Sequence, residues 1–173
     1  VRVGIGGGSI CSTRIKTGHG MPTLQSIIDC ARSDRDAVLI ADGGIKTSGD
    51  VAKAIGAGAD FVMLGSMLAG TEETPVKKVW SPEKGAWVYP YRGMASVEAQ
   101  IDWRGHTASV EGVASSVVDK GSVETAVEDV LKGLRSGMSY SGARSITEFQ
   151  AKADFIKQSG SSQIESSTHV NRL

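Results

Sequence analysis

The chain has 173 residues, 40% of them hydrophobic and 22% charged, and its formal net charge is zero. This composition is ordinary for one globular domain, and the neutral charge gives no reason to expect a nucleic-acid or membrane surface. No apolar run approaches the roughly 18 residues of a membrane span, and two cysteines are too few for a disulfide scaffold, which favours a reducing, cytoplasmic setting.

The first 70 residues alternate short apolar runs with helical patterns. We predict strands over residues 1–5, 37–41 and 61–64, and helices over 23–31 and 49–56, the second capped by Ser48. Strands that are apolar at every position are typical of parallel sheets buried on both faces. Each predicted strand ends in a Gly, Ser or Asp loop, which is where α/β barrels hold their chemistry. Because the chain opens on a strand and lacks an initiator methionine, we interpret it as the carboxy-terminal part of a longer protein.

The following region, residues 71–121, has a different pattern. Residues 78–80 and 86–89 flank a Pro- and Gly-containing turn and predict a β-hairpin, whereas 101–113 is polar and predicts a loop. A long insertion without core periodicity indicates an active-site flap. Helical periodicity returns in residues 122–136 and 146–156, with Thr147 as a possible cap of the second helix, and the Ser-rich tail of 157–173 predicts irregular structure.

One cysteine, Cys11, lies in the glycine-rich loop of residues 4–14 (GIGGGSICSTR). Glycine amides can approach an anion closely, and a thiolate among amide dipoles is a well-populated nucleophile. The loop therefore suggests an enzyme that acts on a phosphorylated substrate through a covalent intermediate. A small buried residue is an equally good interpretation of Cys11 from composition alone. Cys30, on the apolar face of a predicted helix, is expected in the core.

Other candidates each allow two interpretations. Asp42 ends the second strand and is either a turn cap or a ligand of a ribose diol, while Thr13 is either a turn residue or a donor to substrate. The pairs Gly43-Gly44 and Gly65-Ser66 are tight turns that also suit one phosphate. Glu73, just after the third strand, is a surface charge or an acid/base group. His19, His106 and His169 show no metal spacing with the cysteines, so zinc is not expected.

Five motifs in this order resemble the IMP dehydrogenase/GMP reductase family. They are residues 6–14 (GGGSICSTR), 41–45 (ADGGI), 58–66 (GADFVMLGS), 91–94 (YRGM) and 133–138 (GLRSGM). The resemblance implies an α/β fold, namely the carboxy-terminal part of a (β/α)8 TIM barrel with an inserted β-hairpin and flap. Residues 1–70 would be the last three βα units, about 71–121 the hairpin and flap, about 122–156 the closing helices, and 157–173 the tail.

The resemblance also implies roles for individual residues. Cys11 would attack C2 of a purine nucleotide and form a thioimidate. The 5′-phosphate would be held by Ser9, Gly44, Gly65, Ser66 and Tyr91, the ribose by Asp42, and the base by Met94, Ala95, Glu111 and Gly112. Gly93 would be a further substrate-binding residue. A potassium ion would bind carbonyl groups of Gly6, Gly8 and Cys11, with Glu165, Ser166 and Ser167 completing the site from a neighbouring subunit of a homotetramer.

The reaction direction depends on the flap. The family's dehydrogenases carry an Arg-Tyr pair in a long flap, and its arginine activates the hydrolytic water, whereas the short segment 96–111 has no such pair and places Arg104 before a glycine. We therefore favour a GMP reductase that uses NADPH, with Thr13 and Glu73 handling the proton for the departing ammonia. An IMP dehydrogenase that uses NAD, with Arg104 or His106 as base, is the alternative. A non-catalytic phosphate-binding barrel fragment is a third possibility, and the isolated chain is expected to be inactive.

Overall fold

The computed structural model describes residues 1–34 and 36–168, and these form six strands and seven helices. The strands are β1 (Arg2–Val3), β2 (Ile40–Asp42), β3 (Phe61–Met63), β4 (Val79–Ser81), β5 (Ala86–Arg92) and β6 (Ala114–Val118). The helices are α1 (Thr13–Thr17), α2 (Thr23–Ala31), α3 (Ser48–Gly56), α4 (Val97–Arg104), α5 (Val123–Tyr140), α6 (Ile146–Lys152) and α7 (Gly160–Glu165). His169 and the last four residues, part of the expected irregular tail, lie outside the described residues.

The first sheet is parallel, in the order β1-β2-β3, and Val3, Ala41 and Val62 lie side by side across it. This confirms the predicted α/β class. The expectation that every strand is buried on both faces is wrong for β3, because Phe61 and Met63 are 60% and 39% exposed while Val62 between them packs on the core. The strand alternates, with one face on the core and the other in solvent.

Helices α2, α3, α5 and α6 form the core with the parallel sheet. Ile27, Ala41, Ile55, Val130 and Phe149 are buried together in this cluster. On each of these helices the apolar residues recur at helical spacing and form one stripe. Burial of that stripe supplies most of the stabilisation of the folded chain. The predicted bounds of α2 are confirmed.

The helix starts show three corrections to the predicted caps and loops. Thr47, not Ser48, caps α3, because Thr47 and Asp50 form a reciprocal capping box. Ser145, not Thr147, caps α6, which ends at Lys152 rather than at residue 156. In the tail, Ser159 caps the short helix α7, where an irregular structure was expected. In each case a hydroxyl oxygen accepts a hydrogen bond from an amide three residues later, which decides where the helix begins.

A second, antiparallel sheet carries the predicted hairpin and one strand that the sequence did not reveal. Trp80 pairs with Trp87 across β4 and β5, with the rings edge to face at 5.9 Å. Strand β6, residues 114–118, then pairs with β5 from Arg92 to Val88. None of the helices in the described part of the chain is both long enough and apolar enough to cross a membrane.

Residues 97–104 form a helix where part of a loop was expected. Ser96 accepts a hydrogen bond from the Ala99 amide and starts α4, and Gly105 ends it in the left-handed conformation at φ +75°. The helix is weakly amphipathic, so its period is hard to see in the sequence. Cys30 is a further correction, because it lies exposed on the last turn of α2 rather than in the core.

Candidate active site

A small cavity of about 120 Å³ lies where the three parallel strands end. Six predicted substrate-binding residues line it together with Gly8, Gly43, Ile45 and Met63: Ser9, Asp42, Gly44, Gly65, Ser66 and Tyr91. Tyr91 comes from the antiparallel sheet, Asp42 is the last residue of β2, and the other four residues come from loops that follow β1, β2 and β3. The tertiary structure therefore brings these six residues to one concave surface.

Glycine is required where the loops around this cavity meet. Gly43 has φ +89°, and a Cβ there would lie 3.0 Å from the Gly8 nitrogen and 3.1 Å from the Gly7 carbonyl carbon. A Cβ on Gly65 would lie 3.0 Å from the Tyr91 hydroxyl. A side chain at either position would push the neighbouring group away. The cavity walls are thus formed largely by backbone, whose amides are suited to an anion.

Asp42 forms an ion pair at the edge of the same cavity. Arg2 donates from Nη2 and Nε to Asp42 Oδ2, at 2.6 and 3.1 Å. The two side chains lie on the same face because Arg2 pairs with Ile40, two residues before Asp42. Since both groups are partly exposed, the pair contributes little to stability, but it fixes the orientation of the carboxylate. No local sequence pattern marks Arg2 for this role.

Lys120, which no local sequence pattern marks, holds the loop that contains Ser66 from outside the cavity. The Lys120 ammonium group donates to the carbonyl groups of Ser66 and, at 3.4 Å, Met67. Its amide donates to the Gly70 carbonyl at 2.8 Å. Partial burial lowers the pKa of Lys120. The segment after β6 therefore anchors the loop that lines the small cavity.

A second cavity, of about 460 Å³, contains Cys11. Four other predicted site residues line it: Thr13, Met94, Ala95 and Glu111. The Cys11 loop is joined to the segment before β6 by backbone contacts: Cys11 forms a bridge with Gly112, and the Ser12 amide donates to the Glu111 carbonyl at 2.8 Å. Gly93, predicted to bind substrate, lies beside this junction, and a Cβ on it would meet Ile10 and Gly112.

A chain of hydrogen bonds runs from the Cys11 thiol to a carboxylate. The thiol donates to Thr13 Oγ1 at 3.2 Å, and the Thr13 hydroxyl donates to Glu111 Oε2 at 2.7 Å. The Ser109 hydroxyl donates to the other oxygen, Oε1, also at 2.7 Å. These hydroxyl groups, with Thr13 first, lower the pKa of Glu111. The carboxylate is therefore held ionised, and its Oε2 atom accepts a hydrogen bond from the Thr13 hydroxyl.

Glu73 is not brought to this cavity. Its carboxylate accepts hydrogen bonds from the Val123 amide at 2.8 Å and the Ser122 hydroxyl at 3.2 Å, at the start of α5. The Val123 amide is the main reason that the pKa of Glu73 is lowered. It lines a separate, open hollow beyond Gly65 and Tyr91. These contacts are those of a helix-capping residue.

The expected potassium site stays a prediction. The Gly8 carbonyl accepts a hydrogen bond from the Cys11 amide at 3.1 Å, which leaves its second lone pair for another contact. At the end of α7, Ser166 and Ser167 donate their hydroxyl groups to the carbonyls of Ser162 and Ile164. Within residues 1–34 and 36–168, no three or more His, Cys, Asp or Glu side chains form a metal-binding group, but a potassium site of carbonyl oxygens would not require one.

A family model described as "IMP dehydrogenase / GMP reductase domain" matches residues 1–169. The chain belongs to this family. The resemblance seen in the five motifs is therefore confirmed.

Similar proteins include both activities of the family. The chain is 44% identical over 181 residues to a GMP reductase from Leishmania major, and 43% identical over 183 residues to an inosine-5′-monophosphate dehydrogenase from Nitrosopumilus maritimus (strain SCM1). Each alignment covers 98% of this chain but only 36% and 38% of the relatives. The two identities are too close to choose a reaction.

One solved structure is similar to this chain over almost its whole length. It is the crystal structure of a cysteine-to-alanine variant of GMP reductase from Trypanosoma brucei in complex with guanosine 5′-monophosphate. It matches this chain with a TM-score of 0.92 and 45% identity, over 99% of this chain and 36% of that one. The chain thus spans 36–38% of the length of these three relatives.

Proposed function

We propose that the protein is a purine-nucleotide oxidoreductase that reduces GMP with NADPH and releases IMP and ammonia. The observation that carries the proposal is the hydrogen-bonded chain from Cys11 through Thr13 to Glu111. A nucleophile next to a relay that ends in an ionised carboxylate is suited to covalent catalysis with proton transfer. In this proposal the chain is the carboxy-terminal part of a (β/α)8 barrel, and the whole protein is a homotetramer.

The two cavities divide the nucleotide between them. The backbone-walled cavity beside Ser9, Gly44 and Ser66 would hold the 5′-phosphate, and Asp42 at its edge would accept hydrogen bonds from the ribose hydroxyls. The larger cavity would place the purine against Met94 and Ala95, with C2 near the Cys11 thiol. The bound guanosine 5′-monophosphate of the Trypanosoma brucei structure supports this class of ligand.

The relay accounts for the protons of the deamination step. The thiol proton passes to Thr13 Oγ1 as the Thr13 proton passes to Glu111, so that a thiolate attacks C2 and forms the S–C2 bond. The C2–N2 bond then breaks, and the proton returns from Glu111 through Thr13 to the departing amine, which leaves as ammonia. Glu111 takes the role that the sequence alone suggested for Glu73, because Glu111 accepts a hydrogen bond from Thr13 whereas Glu73 accepts from Ser122 and Val123.

Two residues on the wall of the Cys11 cavity, Trp103 and Arg104, would suit a nicotinamide dinucleotide. The Arg104 guanidinium lies 4.2 Å from the centre of the Trp103 ring, and both residues line the Cys11 cavity. Within the described part of the chain Arg104 has no ion-pair partner, so its charge is available to the phosphates of the dinucleotide. When bound, the dinucleotide would supply a hydride to C2, after which the S–C2 bond would break to release IMP and return Cys11 as the thiolate. A potassium ion bound to the carbonyls of Gly6, Gly8 and Cys11 would support the Cys11 loop. A neighbouring subunit would complete this potassium site.

The short flap favours reduction over hydrolysis. Residues 96–111 contain no Arg-Tyr pair, and α4 occupies half of this segment. One observation favours the alternative, an IMP dehydrogenase that uses NAD: Arg104 lies in the cavity and could activate water there. Motifs 91–94 and 133–138 also resemble bacterial dehydrogenases.

The test is turnover by the full-length protein. We expect oxidation of NADPH with GMP and formation of IMP and ammonia in equal amounts. Turnover of IMP with NAD, with none of GMP, would refute the reductase and support the dehydrogenase. A 6-chloropurine ribonucleotide should label Cys11 in either enzyme, and failure to label it, together with the absence of both activities, would instead indicate a non-catalytic phosphate-binding protein.

A further inference from the structure

A buried glutamine fixes the flap segment beside the relay. Gln100, on α4, is 3% exposed. Its side-chain amide donates to the carbonyls of Ala95 at 3.1 Å and Ser109 at 2.9 Å, and its oxygen accepts from the Ala108 amide at 2.8 Å. A glutamine side chain has two donor and two acceptor positions, so three of four are used. The contacts tie residues 108–109 to the start of α4.

The segment held by Gln100 carries the second ligand of the carboxylate. The Ser109 hydroxyl donates to Glu111 Oε1, while Thr13 donates to Oε2, both at 2.7 Å. The backbone of Glu111 is fixed as well, because its amide donates to the Ala95 carbonyl, the same oxygen that accepts from Gln100. Each oxygen of the Glu111 carboxylate thus accepts from one hydroxyl group, and the backbones of Ser109 and Glu111 are both held by hydrogen bonds.

We propose that Ser109 and Gln100 are positioning residues for proton transfer: Ser109 occupies one oxygen of Glu111 so that the other faces Thr13, and Gln100 holds Ser109 in place. Without the Ser109 hydroxyl, the carboxylate could rotate away or accept a proton directly from water. Besides Glu111, the ionisable groups on this cavity wall are the Cys11 thiol and the Arg104 guanidinium. Neither forms a hydrogen bond or ion pair with Oε1, which leaves the Ser109 hydroxyl as its donor within the described residues. This inference rests on the proposed function.

The decisive measurement is a double-mutant cycle in the full-length protein. We expect Ser109→Ala to lower kcat for GMP about 10-fold with little change in KM, and Ser109→Thr to restore most of it, because a group that acts only on proton transfer changes kcat. In a Glu111→Gln background, Ser109→Ala should change kcat by less than about two-fold, since the group that it positions is gone. Thr107→Ala, which removes an exposed hydroxyl from the same segment, is the matched control.

Gln100 is tested in the same way. Gln100→Leu, which keeps the approximate size but removes the three hydrogen bonds, should lower kcat at least as much as Ser109→Ala, and the two changes together should cost little more than one alone. Equal effects of Ser109→Ala in both Glu111 backgrounds, or an unchanged kcat, would overturn the proposal. Melting curves identify any variant that is simply less folded.

Cysteine alkylation separates this proposal from the proposed reaction. Cys11 and the exposed Cys30 can be followed in one sample by peptide mass mapping with iodoacetamide. We expect Ser109→Ala and Glu111→Gln to slow alkylation of Cys11 by a similar factor while Cys30 is unchanged. If GMP and IMP are not turned over but this pattern holds, the proposed function fails and the positioning role stands. If turnover is present and Cys11 reacts as in the wild type, the positioning role fails alone.

Discussion

The Thr13 hydroxyl lies between two functional groups, accepting from the Cys11 thiol at 3.2 Å and donating to Glu111 Oε2 at 2.7 Å. Cys11 and Thr13 are neighbours in the chain, whereas Glu111 is 98 positions from Thr13. The backbone bridge of Cys11 with Gly112 explains the approach, because it aligns the loop after β1 with the residues before β6.

Replacing Thr13 tests the relay directly. Thr13→Ala should lower kcat by about 10²-fold or more, the usual contribution of a positioned proton-transfer group. Thr13→Ser keeps the hydroxyl and should retain most activity. Steady-state kinetics with GMP and NADPH measure both. A Thr13→Ala enzyme with wild-type kcat would exclude proton transfer through this hydroxyl.

Glu73→Gln should affect stability and not turnover. In the folded protein the pKa of Glu73 lies below its unfolded value because the Val123 amide donates to the carboxylate. Its stabilisation is therefore present above the unfolded pKa and is lost as the pH falls through the folded pKa. The melting temperature of Glu73→Gln should fall below that of the wild type at neutral pH, and the two should converge in acid. Glu72→Gln is the control, and a large loss of kcat in Glu73→Gln would restore Glu73 as the proton-transfer group.

Asp42 should recognise the ribose diol. Because a hydrogen bond to a charged group contributes about 1.5–3 kcal/mol, Asp42→Ala should lower kcat/KM for GMP by about 10- to 100-fold. The same substitution should have little effect on 2′,3′-dideoxy-GMP, which lacks both hydroxyls. Equal losses with the two nucleotides would show that Asp42 acts through the loop structure and not through the ribose. Comparing kcat/KM for the two substrates makes the distinction.

Lys120 should support phosphate binding from outside the cavity. Its ammonium group donates to the carbonyls of Ser66 and Met67, so Lys120→Met should loosen the loop and raise KM for the nucleotide while kcat changes little. Lys77→Met, on the exposed segment before β4, should leave both constants unchanged. A fall in kcat without a change in KM would contradict this role.

Gly133 should tolerate no side chain where α5 crosses α3. A Cβ on Gly133 would lie 2.3 Å from Ser48 Cβ, closer than packed atoms allow. Gly133→Ala should therefore lower the free energy of unfolding by about 1–3 kcal/mol, as overpacked sites do. Gly160→Ala, with no heavy atom within 4 Å of the added Cβ, is the control and should be neutral or slightly stabilising because alanine favours a helix. Denaturant unfolding measures both variants.

The sequence alone determined the features of this protein that depend only on residues close together in the chain. Apolar runs ending in glycine predicted the parallel strands, helical periodicity predicted α2, α3 and α5, and the Gly-rich loop around Cys11 predicted an anion next to a nucleophile. Local patterns predict these features because the side-chain periods of strands and helices, and the backbone conformations open to glycine, are properties of a few consecutive residues. Motif order was also enough to identify the family.

Only the tertiary structure decided which distant groups meet. Glu111 and Glu73 are both acidic residues in polar segments, and the sequence favoured Glu73 because it follows a strand. The fold places Glu73 on the first amides of α5 and Glu111 on Thr13, since β6 pairs with β5 and carries the preceding residues to Cys11. For the same reason, the roles of Arg2, Gln100 and Lys120 could not be predicted from the sequence. Each depends on a partner whose position is fixed by strand pairing or by the fold of the flap.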